Sequence, residues 1–242
     1  MAMERVRTGV PGLDDMLNGG IPKHRHVILV GGPGTGKTTL AMQYLYRGVK
    51  DSGEHGVFLS LEESPARIIE NVKAAFPAWT DFDDMLARKE ILIEKRQPLA
   101  AWRAGDKFAP GFEHFLDMIQ SLVTLDGYRR IVVDSVTVLK LYFTSASEFR
   151  RNLFQLLELL GNLDCTLVFT AEAKSAEREK LEFSLEHYVA DGVIVLYNLP
   201  REEKLVRALQ IFKMRGTQHS TKMVPLQFTP EGVVVYPEEK VY

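Results

Sequence analysis

Apolar residues recur along the chain in two alternating registers, short unbroken runs and helically spaced sets, and this alternation predicts a β/α order. Val27–Val30 is an unbroken run between His26 and Gly31, as a strand buried on both faces requires. Lys37–Lys50 predicts a helix, with Gly53 just past its end. Val57–Leu61 reads as a second buried strand. Ser64 then reads as an N-cap and Pro65 as the first residue of a helix toward Phe76. Ile91–Glu94 predicts a third strand. Phe112, Phe115, Leu116, Ile119, Leu122 and Val123 fall at helical spacing, as do Phe149, Leu153, Leu156, Leu157 and Leu160. Ile131–Val133 and Cys165–Phe169 are strand-like. From Val193 onward the pattern is mainly β: Val193–Leu196, Leu205–Lys213, Pro225–Phe228 and Val233–Tyr236. A short turn at Asn198–Arg201 predicts antiparallel pairing there. The expected fold is α/β, with a mainly parallel central sheet flanked by helices and an antiparallel C-terminal β flank. No internal repeat, low-complexity tract or long linker interrupts it, so residues 1–242 are expected to form one domain.

The loop between the first strand and the first long helix carries the chemistry. Gly31-Gly-Pro-Gly-Thr-Gly-Lys37-Thr38 fits the phosphate-loop pattern G-x-x-x-x-G-K-[ST], and the strand–loop–helix context separates it from an ordinary glycine-rich turn. Backbone amides of Gly32, Pro33–Gly36 and the helix start would turn toward phosphate oxygens, proline's missing N–H excepted, and the helix N-terminus adds partial positive charge. Lys37 is placed to reach the outer phosphates of ATP, and Thr38 to ligate Mg2+. Asp134, which ends the run Ile131–Val133, is the expected partner of that ion, either directly or one layer out.

Two further pairs stay open on pattern alone. Glu62 and Glu63 follow the second strand, where a carboxylate can orient or deprotonate an attacking water. The same pair would also serve as an acidic first turn for the Ser64–Pro65 helix, favoured by its dipole. Lys213 and Arg215 alternate on a strand and so share a face. They read either as a basic finger toward a neighbouring subunit's nucleotide or as charges that guard an edge strand.

Composition narrows the setting. In 242 residues, 45% are hydrophobic and 26% charged, with a formal net charge of −2, so no global positive field draws nucleic acid or anionic lipid. Cys165 is the only cysteine and reads as a small core residue, which excludes an intramolecular disulfide. The N-terminus lacks the apolar core of a signal peptide, and no run approaches the ~20 residues of a membrane span. A cytoplasmic protein with no membrane partner is expected.

Taken together, several segments resemble the KaiC and RadA branch of the RecA superfamily. They are Thr8-Gly-Val-Pro-Gly-Leu-Asp14 with Gly19-Gly-Ile-Pro22, the Walker A loop Gly31–Thr39, Phe58-Leu-Ser-Leu-Glu-Glu-Ser-Pro65, the Walker B strand Ile131–Thr137, and Lys213-Met-Arg-Gly-Thr-Gln-His219. The resemblance spans nearly the whole chain in order. It implies a RecA-type P-loop ATPase, assembled as a hexameric ring with ATP between subunits. Carried over, Glu62 is the base and Glu63 its helper. Lys213 and Arg215 reach ATP phosphates across the interface, with Thr217 and His219 nearby, Thr39 beside the loop and Thr229 near the adenine. Pro230 departs from an acidic residue of the family, and His187 and Tyr188 stand where autokinase members have adjacent Ser and Thr, which argues against a phosphorylation cycle. Only one such domain is present, and the helical DNA-binding domain of RadA recombinases is missing.

The expected function is therefore a ring ATPase in regulation or signalling. The alternative is a RadA-paralogue-like ATPase that binds single-stranded DNA in recombination or repair. Its DNA contacts would come from Lys140–Ser147 and Ala173–Phe183, or from the basic–aromatic stretch Lys95-Arg96, Trp102-Arg103 and Lys107-Phe108. In the second loop Glu172, Glu177, Glu179 and Glu182 offset Lys174, Arg178 and Lys180, as on a solvated helix face. A nucleotide-sensing scaffold with little turnover fits the same motifs.

Overall fold

The computed structural model describes residues 3–96, 112–173, 184–201 and 204–241. Elements follow in chain order: β1 (Arg5–Val6), α1 (Leu13–Met16), β2 (Ile21–Pro22), β3 (His26–Gly31), α2 (Lys37–Ser52), β4 (Gly56–Ser60), α3 (Pro65–Ala75), α4 (Phe82–Ala87) and β5 (Ile91–Lys95). They continue with α5 (Phe112–Thr124), β6 (Arg130–Asp134), α6 (Val136–Lys140), α7 (Ala146–Gly161), β7 (Thr166–Glu172), α8 (Leu185–Val189), β8 (Gly192–Arg201), β9 (Lys204–Met214), β10 (Met223–Thr229) and β11 (Gly232–Val235).

Nine strands form one sheet in the order β11-β10-β9-β8-β3-β7-β6-β4-β5. The six from β8 to β5 are parallel, and β9, β10 and β11 add antiparallel pairs. The central strands are buried on both faces because helices cover both. Along β3, Val27 and Leu29 join the core beneath α2, α3 and α4, whereas Ile28 and Val30 join the one beneath α5 and α7. Cys165 is buried next to β7, where burial pushes its thiol up to about 12, as suits a core residue.

One expectation is corrected. Asn198–Arg201 is not a turn: β8 continues through Arg201, pairing Asn198 with Arg207 and Pro200 with Leu205. Pro200 is tolerated because it stands at the free end of the hairpin. In the strand order β9 lies between β8 and β10, but β10 pairs only with Ala208–Gln210, so among the described residues the stretch carrying Lys213 pairs with β8 alone.

The helix behind the phosphate loop is fastened to the base of the sheet by Arg130, which is 1% exposed. Its Nε donates to Glu54 Oε2 at 2.7 Å and its Nη1 to the carbonyls of Arg7 and Tyr44, each at 2.9 Å. Gly48 leaves the room: a Cβ there would fall 2.3 Å from the Arg130 Cδ. Arg130→Met is expected to cost about 2–4 kcal/mol, because a buried carbonyl, a partly buried one and a carboxylate lose this donor. Urea unfolding at unchanged slope measures it, and a loss under about 1 kcal/mol would mean that water replaces the guanidinium without penalty.

Candidate functional site

The C-terminal edge of the parallel strands gathers the polar residues. β3 ends in Gly31 and α2 begins at Lys37, with Gly36 between them at φ 96°, in the left-handed region. A Cβ on Gly36 would lie 2.3 Å from the Phe228 ring, so the position accepts only glycine. Inside the loop Thr35 Oγ1 donates to the Gly32 carbonyl at 2.8 Å. No acidic residue stands in the first turn of α2, which keeps its N-terminus hospitable to anions.

Lys37 Nζ donates to the carbonyls of Gly31 and Gly32 at 2.9 and 3.0 Å. Burial lowers its pKa below the ordinary lysine value, opposed by the carboxylates of Glu172, Asp134 and Glu62. Thr38 Oγ1 donates to Asp134 Oδ2 at 2.9 Å, while Thr170 Oγ1 donates to the other carboxylate oxygen. Parallel pairing of Ser60 with Asp134 then delivers the chain after β4 to the same place. The Leu61 amide donates to the Asp134 carbonyl at 2.7 Å, and Ser135 Oγ donates to Glu62 Oε1 at 3.1 Å. Glu63 is held through its backbone, its amide donating to Ser60 Oγ at 3.0 Å. Ser64 caps α3 as expected. Both glutamates are exposed.

Several residues here had no individual signal in the sequence. Ser135 owes its place to α6, a helix too short for periodicity to reveal. Glu172 ends β7 in register with Gly31, its amide donating to Thr137 Oγ1 at 2.9 Å, and so belongs to this site rather than to a loop beyond it. The C-terminal flank supplies the other wall. Asn198 Nδ2 donates to the Pro33 carbonyl at 3.3 Å and Arg207 Nε to that of Gly34 at 3.5 Å. The Arg207 guanidinium lies 4.8 Å over Phe228, whose other neighbour is Phe76 with ring centroids 6.5 Å apart. Thr229, next to it, donates to the Gly232 carbonyl at 2.9 Å in the β10–β11 turn, and the Pro230 carbonyl accepts from Ala78. Thr39 lies in the first turn of α2.

Lys213 and Arg215 lie elsewhere. Lys213 pairs with Val193, and Val193 with Ile28, whereas Gly31 pairs with Leu196. At ~3.3 Å per residue the basic pair starts about 10 Å short of its own phosphate loop, toward the opposite edge of the sheet. Lys213 Nζ donates to the carbonyls of His187, Tyr188 and Ala190 at 3.3, 3.1 and 2.5 Å. Arg215 donates to those of Tyr188 and Val189 at 3.0 and 3.5 Å. Together they cap the C-terminus of α8. Burial first, then Arg215, lowers the Lys213 pKa, and Asp191 opposes them. Thr217 accepts from Arg5 Nη2 at 2.6 Å, and the residues flanking His219 bond to the N-terminal segment, Asn18 Nδ2 donating to the Gln218 carbonyl and the Ser220 amide to that of Met16, each at 2.9 Å. The residues expected to touch nucleotide thus fall into two groups, at opposite edges of one sheet.

Of the residues named for DNA, Lys140 ends α6, 4.0 Å from Glu186 and 5.7 Å over the Phe149 ring. Ser145 caps α7, Lys95 closes β5, and Arg96 pairs with Glu94. Trp102, Arg103, Lys107, Phe108, Lys174, Glu177, Arg178, Glu179, Lys180 and Glu182 lie outside the described residues.

A phosphate loop, a threonine–aspartate pair beneath it and a glutamate beside them invite comparison with known ATPases. The family model for the KaiC ATPase matches residues 6–240. The chain belongs to the KaiC family. Among its relatives, a UPF0273 protein of Methanocaldococcus jannaschii is 36% identical over 247 residues, covering 98% of both chains. The circadian clock oscillator protein KaiC of Synechococcus elongatus is 31% identical over 238 residues, which cover 98% of this chain and 45% of that one. The crystal structure of a KaiC-like protein from Pyrococcus horikoshii OT3 superimposes with a TM-score of 0.81 at 34% identity, over 98% of this chain and 100% of the other. The mostly parallel sheet with its antiparallel C-terminal strands is therefore a KaiC-family ATPase fold. Among the described residues no helix is long and apolar enough to cross a membrane.

Proposed function

We propose that residues 1–242 form one ATPase domain that binds ATP with Mg2+ and hydrolyses it as a ring-shaped homo-oligomer, a hexamer, in cytoplasmic regulation or signalling. One observation carries the reading: the two expected halves of the nucleotide site sit at opposite edges of the same sheet. A chain so built completes a site only with a neighbour.

In this reading the amides from Gly32 to Thr38 and the Lys37 ammonium hold the phosphates. Thr38 and Asp134 offer a hydroxyl and a carboxylate, hard oxygens of the kind that hold Mg2+ together with phosphate oxygens. The ion, when bound, supplies charge neutralisation at the outer phosphates. Glu62, steadied by Ser135, accepts the proton of the attacking water, with Glu63 as helper. Thr229 and Thr39 border the nucleotide on the loop's own side, whereas Lys213, Arg215, Thr217 and His219 approach from the neighbour. Charge supports this division. Lys37 faces the carboxylates of Glu62, Asp134 and Glu172 on its own chain, so a bound polyanion gains from further cations brought by another.

ATP turnover per chain is expected to fall on dilution below the assembly constant, and ATP to favour assembly, because the ligand binds across the interface. Lys37→Ala is expected to weaken ATP–Mg2+ binding by at least about 10–100-fold, the scale of losing charge-assisted hydrogen bonds. Calorimetry showing unchanged affinity would remove the phosphate-loop assignment, and concentration-independent turnover would remove the ring.

A further inference from the structure

Between α8 and β8 stands Asp191, with a side chain 14% exposed. Its Oδ2 accepts from the His26 amide at 3.2 Å. Its Oδ1 accepts from Arg25 Nη1 at 3.2 Å and faces Arg215 Nη1 at 4.0 Å. Its backbone carbonyl accepts from the Arg215 amide at 2.9 Å, and its own amide donates to the His26 carbonyl at 3.0 Å. Asp191 therefore grips the first residue of β3 from both backbone and side chain, and grips Arg215 through backbone and charge.

β3 is the strand that ends in the phosphate loop. This strand is buried along its whole length and paired on both sides, so a carboxylate bonded to its start is held by the centre of the sheet. Arg215 lies just beyond the end of β9, where strand pairing no longer dictates its direction. Among the described residues, the acceptors that aim it are the carbonyls of Tyr188 and Val189 and the carboxylate of Asp191. Carbonyls at a helix C-terminus hold a guanidinium loosely, whereas an anionic oxygen adds a full charge to the grip.

We propose that Asp191 is a positioning residue for Arg215: it sets the arginine that one chain presents to its neighbour's nucleotide, and ties it to the strand bearing that chain's own phosphate loop. The proposal rests on the trans-acting reading above. Arg25 shares the same carboxylate oxygen and so competes with Arg215 for it.

Asp191→Asn keeps the shape and the acceptor for the His26 amide while removing the charge. Turnover is expected to fall about tenfold or more in kcat with KM for ATP little changed, the pattern of an interaction used chiefly in the transition state. The thermal midpoint is recorded alongside. Arg25→Gln, which removes the competing cation, is expected to retain turnover. If it lost as much as Asp191→Asn, the carboxylate would be acting through Arg25 and the proposal would be wrong. Mixed assemblies separate the sides of the interface. Asp191→Asn chains mixed with Glu62→Gln chains are expected to recover activity, because some interfaces pair an intact glutamate with an intact Asp191–Arg215 unit. Asp191→Asn mixed with Arg215→Ala is expected to stay at the parents' level, since every interface is then damaged on the arginine side. Recovery in that second mixture, or full turnover of Asp191→Asn alone, overturns the proposal even when Glu62→Gln with Arg215→Ala recovers. No recovery in the Glu62→Gln and Arg215→Ala mixture instead overturns the trans-acting reading, and this inference with it. Should the asparagine variant not fold, Asp191→Glu displaces the charge by one methylene and is held to the same pattern of mixtures.

Discussion

Arg215→Ala chains are expected to lose about 10³–10⁵-fold in turnover, the contribution an arginine supplied from a neighbour makes in related phosphoryl-transfer enzymes. The size of the effect follows from where charge develops. As the terminal phosphoryl group leaves, negative charge spreads over its equatorial oxygens, and a fixed guanidinium there is worth more than in the ground state. ATP binding to the loop should suffer far less than turnover. The loss should also be repairable in trans: Arg215→Ala chains mixed with Glu62→Gln chains, each nearly inactive alone, should regain part of the activity once co-assembled. Verified co-assembly without recovery would place Glu62 and Arg215 on the same nucleotide. The roughly 10 Å between the start of the basic pair and its own phosphate loop argues against that.

Glu62→Gln is expected to keep ATP bound and cut turnover by roughly 10²-fold or more, the usual scale for losing a general base. Glutamine preserves an acceptor for Ser135 Oγ, so the side chain stays in place and only its basicity is lost. Glu63→Gln should cost less, because Glu63 is fastened by its amide and its carboxylate is not tied to the Asp134–Ser135 corner. The two variants are read by single-turnover hydrolysis with calorimetry for binding. If Glu63→Gln proved the more damaging, their roles would be exchanged.

The half of the site that could be read from the sequence is the half built by local rules. A strand, a glycine loop and a helix are contiguous, so the pattern at Gly31–Thr38 carries its own context. Asp134 was legible for the same reason, as the polar end of an apolar run. Asn198, Arg207 and Phe228 were not, since nothing in β8, β9 or β10 records which loop those strands lie beside. That is decided by the order of strands in the sheet. Glu172 was misplaced by one element, counted with the charges after β7 although pairing sets it opposite Gly31. The false turn at Asn198–Arg201 arose from residues that favour turns in isolation and were overruled by pairing across the hairpin. Lys213 and Arg215 do meet the same helix end, but Arg215 lies just past the end of β9, and spacing is silent on which edge of the sheet the pair reaches.

Phe228 fills the space that a side chain on Gly36 would take, so a strand far along the chain closes the phosphate loop against any larger residue. Shrinking Phe228 would not free the position, because the left-handed backbone at φ 96° strains any residue but glycine. The phosphate loop is therefore walled by the C-terminal strands, and a chimera that takes its last strands from a relative sets that relative's residue at 228 directly against the loop.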